Sequence, residues 1–441
     1  MKLSTIGHAS IYIKDSNNQP LLLTDPWLIG SAYWRSWWLQ NYPSQDQFDE
    51  LKKVKYCYIT HEHPDHFHTP SIKKLGNKPK YLSPELPEEN ITKYLRGLKF
   101  NSEVLQSLNW YKVSDEISIL SVPLFNDDSV LLIDTPKAFI INLNDTKPSK
   151  SKLNQIDKFL TSNNINKKRI VLSSYSPASI VNSFRKDSKY VSIKDKKDYC
   201  LYLNKVSNSL KADYFIPFAS QVIFYRPDST WANEYKVTFE DLQLHWNSDT
   251  ILLHPYTSID LTDFQISFIE TKHYLRDENY IKNKVSDQIE LEKKSKLNDS
   301  DLKLLSKKLK SKRFILFPLF PNGIAFITDN EKLLVNTFSG KVGLLEKNKD
   351  YSFAIKLPCQ ALKDAISYDH FGDLGITMFT ILILNRTNNP KFIYIFFILM
   401  TFDDYKHFFD YRHFFKWIFS ILKNNSWKIP PLKTASNIPF K

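Results

Sequence analysis

Residues 61–68, His-Glu-His-Pro-Asp-His-Phe-His, hold four histidines and two carboxylates. Imidazole and carboxylate at that density are the donors of a zinc, iron or manganese centre, and the absence of cysteine nearby argues against a closed structural zinc site. In a loop of the form His-x-His-x-Asp-His, His61 and His63 can face one metal while Asp65 and His66, beyond the break at Pro64, reach a second. His68 lies one position past the pattern and reads as a solvated side chain or, alternatively, as a donor behind the ligands.

The elements that must position this loop are legible around it. Val54-Lys-Tyr-Cys-Tyr-Ile-Thr60 alternates and is rich in β-branched and aromatic residues, so it predicts a strand whose end delivers His61. Leu3 to Lys14 and Leu21 to Thr24 form a hairpin through Asp15-Ser-Asn-Asn18. Asp25 closes its second strand, either as a turn residue with Pro26 or as a support for the metal loop. Thr69-Pro-Ser begins a helix. Further strands are predicted at 110–113, 117–123, 130–134 and 138–143. The last ends on Asn144-Asp145, which places the Asp145 carboxylate at the sheet rim where the metal loop emerges and makes it the candidate bridging ligand. Helices at 149–163 and 197–210 alternate with strands at 169–174 and 214–218, and strands at 239–244 and 251–255 close the unit.

The loop together with Gly7-His-Ala-Ser10, Leu22-Leu-Thr-Asp-Pro-Trp27 and Leu143-Asn-Asp145 resembles the metallo-β-lactamase superfamily. That resemblance implies an α/β fold, an αββα sandwich, here with a C-terminal α+β extension. More narrowly, Asp-Pro-Trp with Trp34, Trp37 and Trp38 behind it, Tyr175-Ser-Pro-Ala-Ser179 and Tyr214-Phe-Ile-Pro-Phe-Ala219 resemble the catalytic half of nucleotide-sugar N-acyl hydroxylases. The likeness spans roughly the first 255 residues. It implies one or two metal ions, iron or zinc, held by His61, His63, Asp65, His66 and Asp145, with Asp65 and His8 taking part in catalysis. It further implies Arg226, Trp27 and Tyr175 as substrate contacts, with an N-acylated nucleotide sugar as substrate.

The pattern departs from the superfamily in two places. The relatives have two further histidines, and this chain has none between His68 and His245. Asn126, Asp127 or Asp128 would have to substitute for the first. Arg226 stands where the second would align, and arginine stays protonated and cannot ligate. Three outcomes remain open: one metal, two harder metals with carboxylates replacing imidazoles, or a degenerate, non-catalytic binding module. Two reactions compete for a competent site, oxygen insertion by an iron centre and hydrolysis of a phosphoester, lactone or amide by metal-activated water.

With 441 residues there is room for a metal-binding domain at 1–260, a charged helical linker at 261–313 and an extension at 314–441 that is strand-rich to about 402, with a strand at 314–320, and ends in an aromatic helix at 405–422. Cys57, Cys200 and Cys359 are far apart, so no Rieske cluster, which needs paired Cys and His, can form on them. An oxygenase would therefore draw electrons from a separate reductase, Rieske or ferredoxin protein. The net charge of +13 is spread along helix-like segments without a nucleic-acid signature, which excludes a dedicated nucleic-acid module. The longest apolar run, 392–400, is too short for a membrane span of about 20 residues, and no secretory signal precedes the first strand. A cytoplasmic location and a small-molecule substrate are the resulting expectations.

Overall fold

The computed structural model describes residues 1–86, 89–124, 128–163, 166–176, 183–186, 189–190, 196–269, 278–386 and 390–404, with positions 412, 415 and 419 beyond them. Two mixed sheets lie face to face. Among the described residues the first runs in the order Ile266–Phe268, Thr257–Asp260, Lys2–Ile6, Ser10–Lys14, Pro20–Thr24, Tyr56–Tyr58, Lys80–Pro84, Ser102–Leu105. The second runs Ile251–Leu252, Tyr214–Phe218, Lys168–Ser174, Ala138–Asn144, Ser129–Asp134, Ser118–Pro123, Tyr111–Lys112.

Alternation explains the sandwich. Leu3, Ile11, Ile13 and Leu22 from the first sheet meet Leu131, Ile133, Ile140 and Ile170 from the second in one dry layer. The opposite faces are apolar as well, so each must be covered. Val122, Leu132, Ile141 and Val171 pack under helices Lys150–Asn163 and Lys196–Ser209. Cys57, Ile59 and Tyr81 pack under Thr69–Leu75 and Asn90–Gly97. The layers are therefore αββα, as the sequence predicted.

Tyr56–Tyr58 runs parallel to both neighbours, and Ala138–Asn144 runs parallel to Lys168–Ser174. Parallel strands gather the loops that follow them at one rim. The metal loop and Asp145 both emerge there. Just beneath them the Tyr58 hydroxyl spans the sandwich, 3.0 Å from Ser121 Oγ and 3.0 Å from Ser129 Oγ. This buried tie fixes the spacing of the sheets where the ligands leave them.

A third sheet has the order Lys189–Tyr190, Phe184–Lys186, Ile381–Leu384, Phe353–Lys356, Ile324–Ile327, Lys332–Val335, Val342–Leu344. It thus recruits Phe184–Lys186 and Lys189–Tyr190 into the C-terminal part, crossing the boundaries at 260 and 313 drawn from the sequence. Helices Asp299–Lys310, Cys359–Ser367 and Pro390–Asp404 cover it.

Two expected strands are helices. Phe239–His245 starts at a Thr238 capping box closed by Asp241, a signal that outweighs its short apolar run. Arg313–Leu319 is helical despite Pro318, a short apolar segment whose periodicity alone does not separate strand from helix. Of the aromatic helix expected at 405–422, Arg412, Phe415 and Phe419 are described, all three helical and exposed, and the rest lies outside the described residues. No described helix is long and apolar enough to cross a membrane.

Candidate metal centre

Strand Tyr56–Tyr58 ends, and Thr60 hands the chain to His61. Asp25, fully buried at the end of the neighbouring parallel strand, receives the Thr60 backbone N–H at 2.7 Å and the Thr60 hydroxyl at 2.8 Å. Its second oxygen also lies 3.2 Å from His66 Nδ1. One carboxylate therefore sets both ends of the metal loop. With Nδ1 held in this way, His66 Nε2 lies 3.3 Å from Asp65 Oδ2 and 3.3 Å from Asp145 Oδ2. Nε2 is buried without a well-directed hydrogen bond.

His61 is anchored on its other side. Its Nδ1 faces Thr60 Oγ1 at 3.1 Å and the Asn144 amide at 3.2 Å, while its Nε2 meets His63 Nδ1 at 2.8 Å. Asn144 adopts a left-handed backbone, φ 53°, at the end of its strand. That turn brings its amide within 2.6 Å of Thr60 Oγ1 and releases Asp145 toward His66.

The loop between the first two strands supplies a further donor. Gly7 takes φ +61°, and a Cβ there would lie 2.9 Å from the Trp27 carbonyl oxygen, so glycine is required for the turn. The turn directs His8 inward, with Nε2 3.1 Å from Asp65 Oδ2. The other Asp65 oxygen accepts the Tyr33 hydroxyl at 2.7 Å.

Two groups of donor atoms result, His61–His66–Asp145 and His8–Asp65–His66, each with its atoms within 4.8 Å of one another. The donors are nitrogen and oxygen only, matching zinc, iron or manganese, and the orphaned His66 nitrogen is common to both groups. The residues therefore fit a metal centre of one or two ions. The electrostatics agree. Burial, then the neighbouring histidines His66 and His63, hold His61 well below the usual imidazole range, and burial lowers His63. Burial opposes charge on His66 and Asp65 as well. The Asp65 and Asp145 carboxylates outweigh it at His66, which titrates high, and His66 and His8 outweigh it at Asp65, which titrates low. Such a site holds positive charge among carboxylates.

His61, His63, Asp65, His66, Asp145 and His8 thus come together. His8 adds a nitrogen donor beside Asp65 from the turn after the first strand. Several expected residues do not join them. Asp128 lies 3.5 Å from His61 Nδ1, opposite the side that meets His63, and so orients the ring instead of replacing a ligand. Asn126 and Asp127 fall outside the described residues. Arg226 is 1% exposed, with its guanidinium engaged by Glu292, Asp228 and the Trp34 carbonyl. It braces the Glu278–Lys293 helix and has no donor left for substrate. Trp27 is fully buried behind the site, 5.5 Å from the His8 ring and 5.8 Å from the His68 ring. Tyr175 is buried in the layer under the second sheet's helices. His68 is buried too, capping the Thr69–Leu75 helix through Ser71, not solvated.

Tyr33 and Asn144 had not been read as site residues. Asn144 carried a signal, a left-handed-tolerant residue directly before the candidate ligand. Tyr33 carried none, because it arrives from a loop with no metal-type spacing.

A cavity of about 570 Å³ opens over His63. One wall comes from Tyr33, Glu62, Phe67 and Tyr94, and the other from Tyr368, His370, Asp373 and Asp404 of the C-terminal part.

No protein-family model matches the sequence. The chain is 37% identical over 87 residues to the cytidine monophosphate-N-acetylneuraminic acid hydroxylase of Asterias rubens, covering 20% of this chain and 12% of that protein. It is 28% identical over 159 residues to a Mycolicibacterium smegmatis protein described as a Rieske 2Fe-2S iron-sulfur protein, covering 34% and 30%. The matches span less than a third of either relative. Among solved structures, an isothiocyanate hydrolase from Delia radicum gut bacteria aligns with TM-score 0.41 and 16% identity over 59% of this chain and 98% of that one. The αββα layers, with the ligand loop at the rim of their parallel strands, make this a metallo-β-lactamase-type fold, and part of the chain is similar to cytidine monophosphate-N-acetylneuraminic acid hydroxylases.

Proposed function

We propose that the chain is a metal-dependent enzyme that inserts oxygen into the N-acyl group of a small molecule, drawing its electrons from a separate protein. The observation that carries the metal centre is His66 Nε2, buried, undirected and 3.3 Å from each of two carboxylates. His61, His63 and Asp145 would hold one side of the centre, Asp65 and His8 the other, with His66 between them. When bound, the metal supplies the activation of dioxygen.

The chain's own residues do the rest. Asp25 and Asn144 fix the ring planes of His66 and His61, Tyr33 holds Asp65 by one oxygen, and the aromatic walls of the cavity keep bulk water away from the acyl group. Similarity to the hydroxylases supports the reaction class, and the donor set of nitrogen and oxygen accommodates iron as well as zinc. The three cysteines are buried and far apart in the sequence, so an electron-carrying cluster has to be supplied from outside these residues, as the likeness to a Rieske protein supports. The nucleotide sugar expected as substrate loses its phosphate partner with Arg226 turned inward, so the reading keeps only the N-acyl group.

Hydrolysis is the second reading, favoured by the same centre because it requires no electron donor. Elemental analysis of the purified chain separates the two. Iron with a visible charge-transfer band, and hydroxylated product formed only when a reductant is added, supports oxygenation. Colourless zinc-loaded protein that hydrolyses an ester or amide without reductant overturns it in favour of hydrolysis, and a chain that takes up no metal overturns both.

A further inference from the structure

The hairpin of Ser31–Ala32 and Trp37–Leu39 turns through Tyr33, Trp34, Arg35 and Ser36. Three of these in a row have a left-handed backbone, with φ 50°, 51° and 61° at Tyr33, Trp34 and Arg35. All three carry bulky side chains, and in this conformation Cβ crowds the following carbonyl oxygen. Glycine would take such positions freely, yet none stands in the turn. Within it the Ser36 N–H donates to the Tyr33 carbonyl at 2.9 Å. A bond of that kind also closes ordinary turns, so it does not by itself select three left-handed residues, and the surroundings must impose them.

The contacts that surround the turn come from far along the chain. Trp34 Nε1 donates to Asp364 Oδ2 at 2.8 Å, while Asp364 Oδ1 accepts the Gln360 amide at 2.6 Å, which fixes the carboxylate on helix Cys359–Ser367. The Ser36 hydroxyl donates to the Thr377 carbonyl at 2.5 Å, and Trp37 Nε1 to the Ile376 carbonyl at 3.1 Å. Asp364, Ile376 and Thr377 all belong to the C-terminal part. The Trp34 carbonyl accepts Arg226 Nη1 at 3.1 Å.

The inner contact is with the metal centre. Tyr33 is 4% exposed, its ring lies 4.9 Å from that of Trp37, and its hydroxyl donates to Asp65 Oδ1 at 2.7 Å. With Oδ1 engaged, Oδ2 is the oxygen that faces His8 Nε2 at 3.1 Å and His66 Nε2 at 3.3 Å. The rotation of the Asp65 carboxylate, and hence the direction of its ligand oxygen, depends on where the turn holds Tyr33.

We propose that Trp34 and Asp364 are positioning residues of the metal centre: their hydrogen bond keeps the left-handed turn wound, the turn sets Tyr33, and Tyr33 aims Asp65. The inference rests on the metal-centre reading above. It extends that reading to the C-terminal part, whose Asp364 belongs to neither donor group and acts on the ligand set through Trp34 and Tyr33.

The test measures zinc affinity of the full chain by competition with a chromogenic chelator. Five proteins are compared: wild type, Tyr33→Phe, Asp364→Leu, Asp364→Asn, and Tyr33→Phe combined with Asp364→Leu. Leucine removes the acceptor for Trp34 Nε1, whereas asparagine keeps an oxygen there. Tyr33→Phe and Asp364→Leu are each expected to weaken zinc binding about tenfold, and Asp364→Asn to stay within about threefold of wild type. The double variant is expected to bind no more weakly than Tyr33→Phe, because both changes act through one contact. Unchanged affinity in Asp364→Leu overturns the inference. So does a double variant in which the two losses multiply, the mark of a packing defect that bypasses Tyr33. Thermal melting of the metal-free proteins verifies their folding, and if Asp364→Leu does not fold, Trp34→Phe breaks the same bond from the other side and carries the same expectations. A wild-type chain that binds no zinc overturns the metal-centre reading and this extension together, whereas a zinc-binding chain indifferent to Asp364 overturns the extension alone.

Discussion

Asp25 Oδ2 and His66 Nδ1 lie 3.2 Å apart with neither side chain exposed to solvent. The contact joins two strand ends: Asp25 follows Pro20–Thr24, and His66 belongs to the loop after Tyr56–Tyr58, its parallel neighbour. Because Asp25 also accepts the Thr60 N–H, the carboxylate that orients the ligand also fixes the start of the loop that carries it. Ligand geometry and loop geometry are therefore one property here.

Asp25→Asn keeps the shape and the bond from the Thr60 N–H to Oδ1, but it puts an amide NH2 where Oδ2 meets the Thr60 hydroxyl and the imidazole, and so weakens the hold on the ring. Metal affinity is expected to fall by about 10- to 100-fold, the usual effect of losing a partner behind a histidine ligand. Titration calorimetry with zinc reads this directly. Affinity within a factor of two of wild type would show that His66 needs no such support.

His66 belongs to both donor groups, whereas His8 belongs to one. His66→Ala is therefore expected to empty the whole centre, and His8→Ala to reduce a two-metal protein to one metal per chain. Plasma emission spectrometry on both variants, grown in the same medium, checks the assignment. Equal loss of metal in the two variants would mean that His8 and His66 serve a single ion.

The metal loop could be read from residues 61–66 because ligand chemistry there is local: four consecutive constraints fall inside one turn. Asp145 was set at the rim by the same logic, a carboxylate ending an apolar strand, but it joins one donor group and not both, so the bridging place expected for it falls to His66. His8 was harder. Its place beside Asp65 depends on the left-handed turn at Gly7, on the sandwich closing over it and on the Trp27 ring behind it, none of which is written in the spacing of histidines. Arg226 failed for the opposite reason. Alignment put it near the site, but Glu292, 66 residues later, captures it, and a long-range ion pair leaves no mark on a single sequence. Asp373 was invisible as a wall residue because the pocket forms only when the third sheet draws its distant strands together.

The Arg226–Glu292 pair is bidentate, at 2.9 and 2.7 Å, and both side chains are at most 2% exposed. Removing one partner strands the other in a dry interior. Arg226→Met is expected to destabilise the fold by about 3–5 kcal/mol, while the double substitution Arg226→Met with Glu292→Leu recovers most of that loss. Denaturant unfolding of the three variants gives the comparison. A double variant no more stable than Arg226→Met alone would place the cost in the arginine's packing on Phe379, whose ring centre is 4.7 Å away, and not in the charge left behind.

Lys236 gives a pH-dependent prediction remote from the metal loop. Burial, then Lys196, push its ammonium down to about 8, and it donates to the Val222 carbonyl. Its folded value lies below the unfolded 10.5, so the folded chain binds fewer protons between about pH 8 and 10.5, and this group's contribution makes stability rise with pH across that window. Below pH 8 the cost of keeping the ammonium buried is carried in full, of the order of 3 kcal/mol for a shift of this size. Lys236→Met removes that cost together with one hydrogen bond. The variant should therefore gain on wild type at pH 7, and the gain should shrink as pH approaches 10, a trend that urea unfolding at pH 7, 8.5 and 10 would follow. A gain independent of pH would trace the effect to packing of the methionine, with the ammonium charge playing no part.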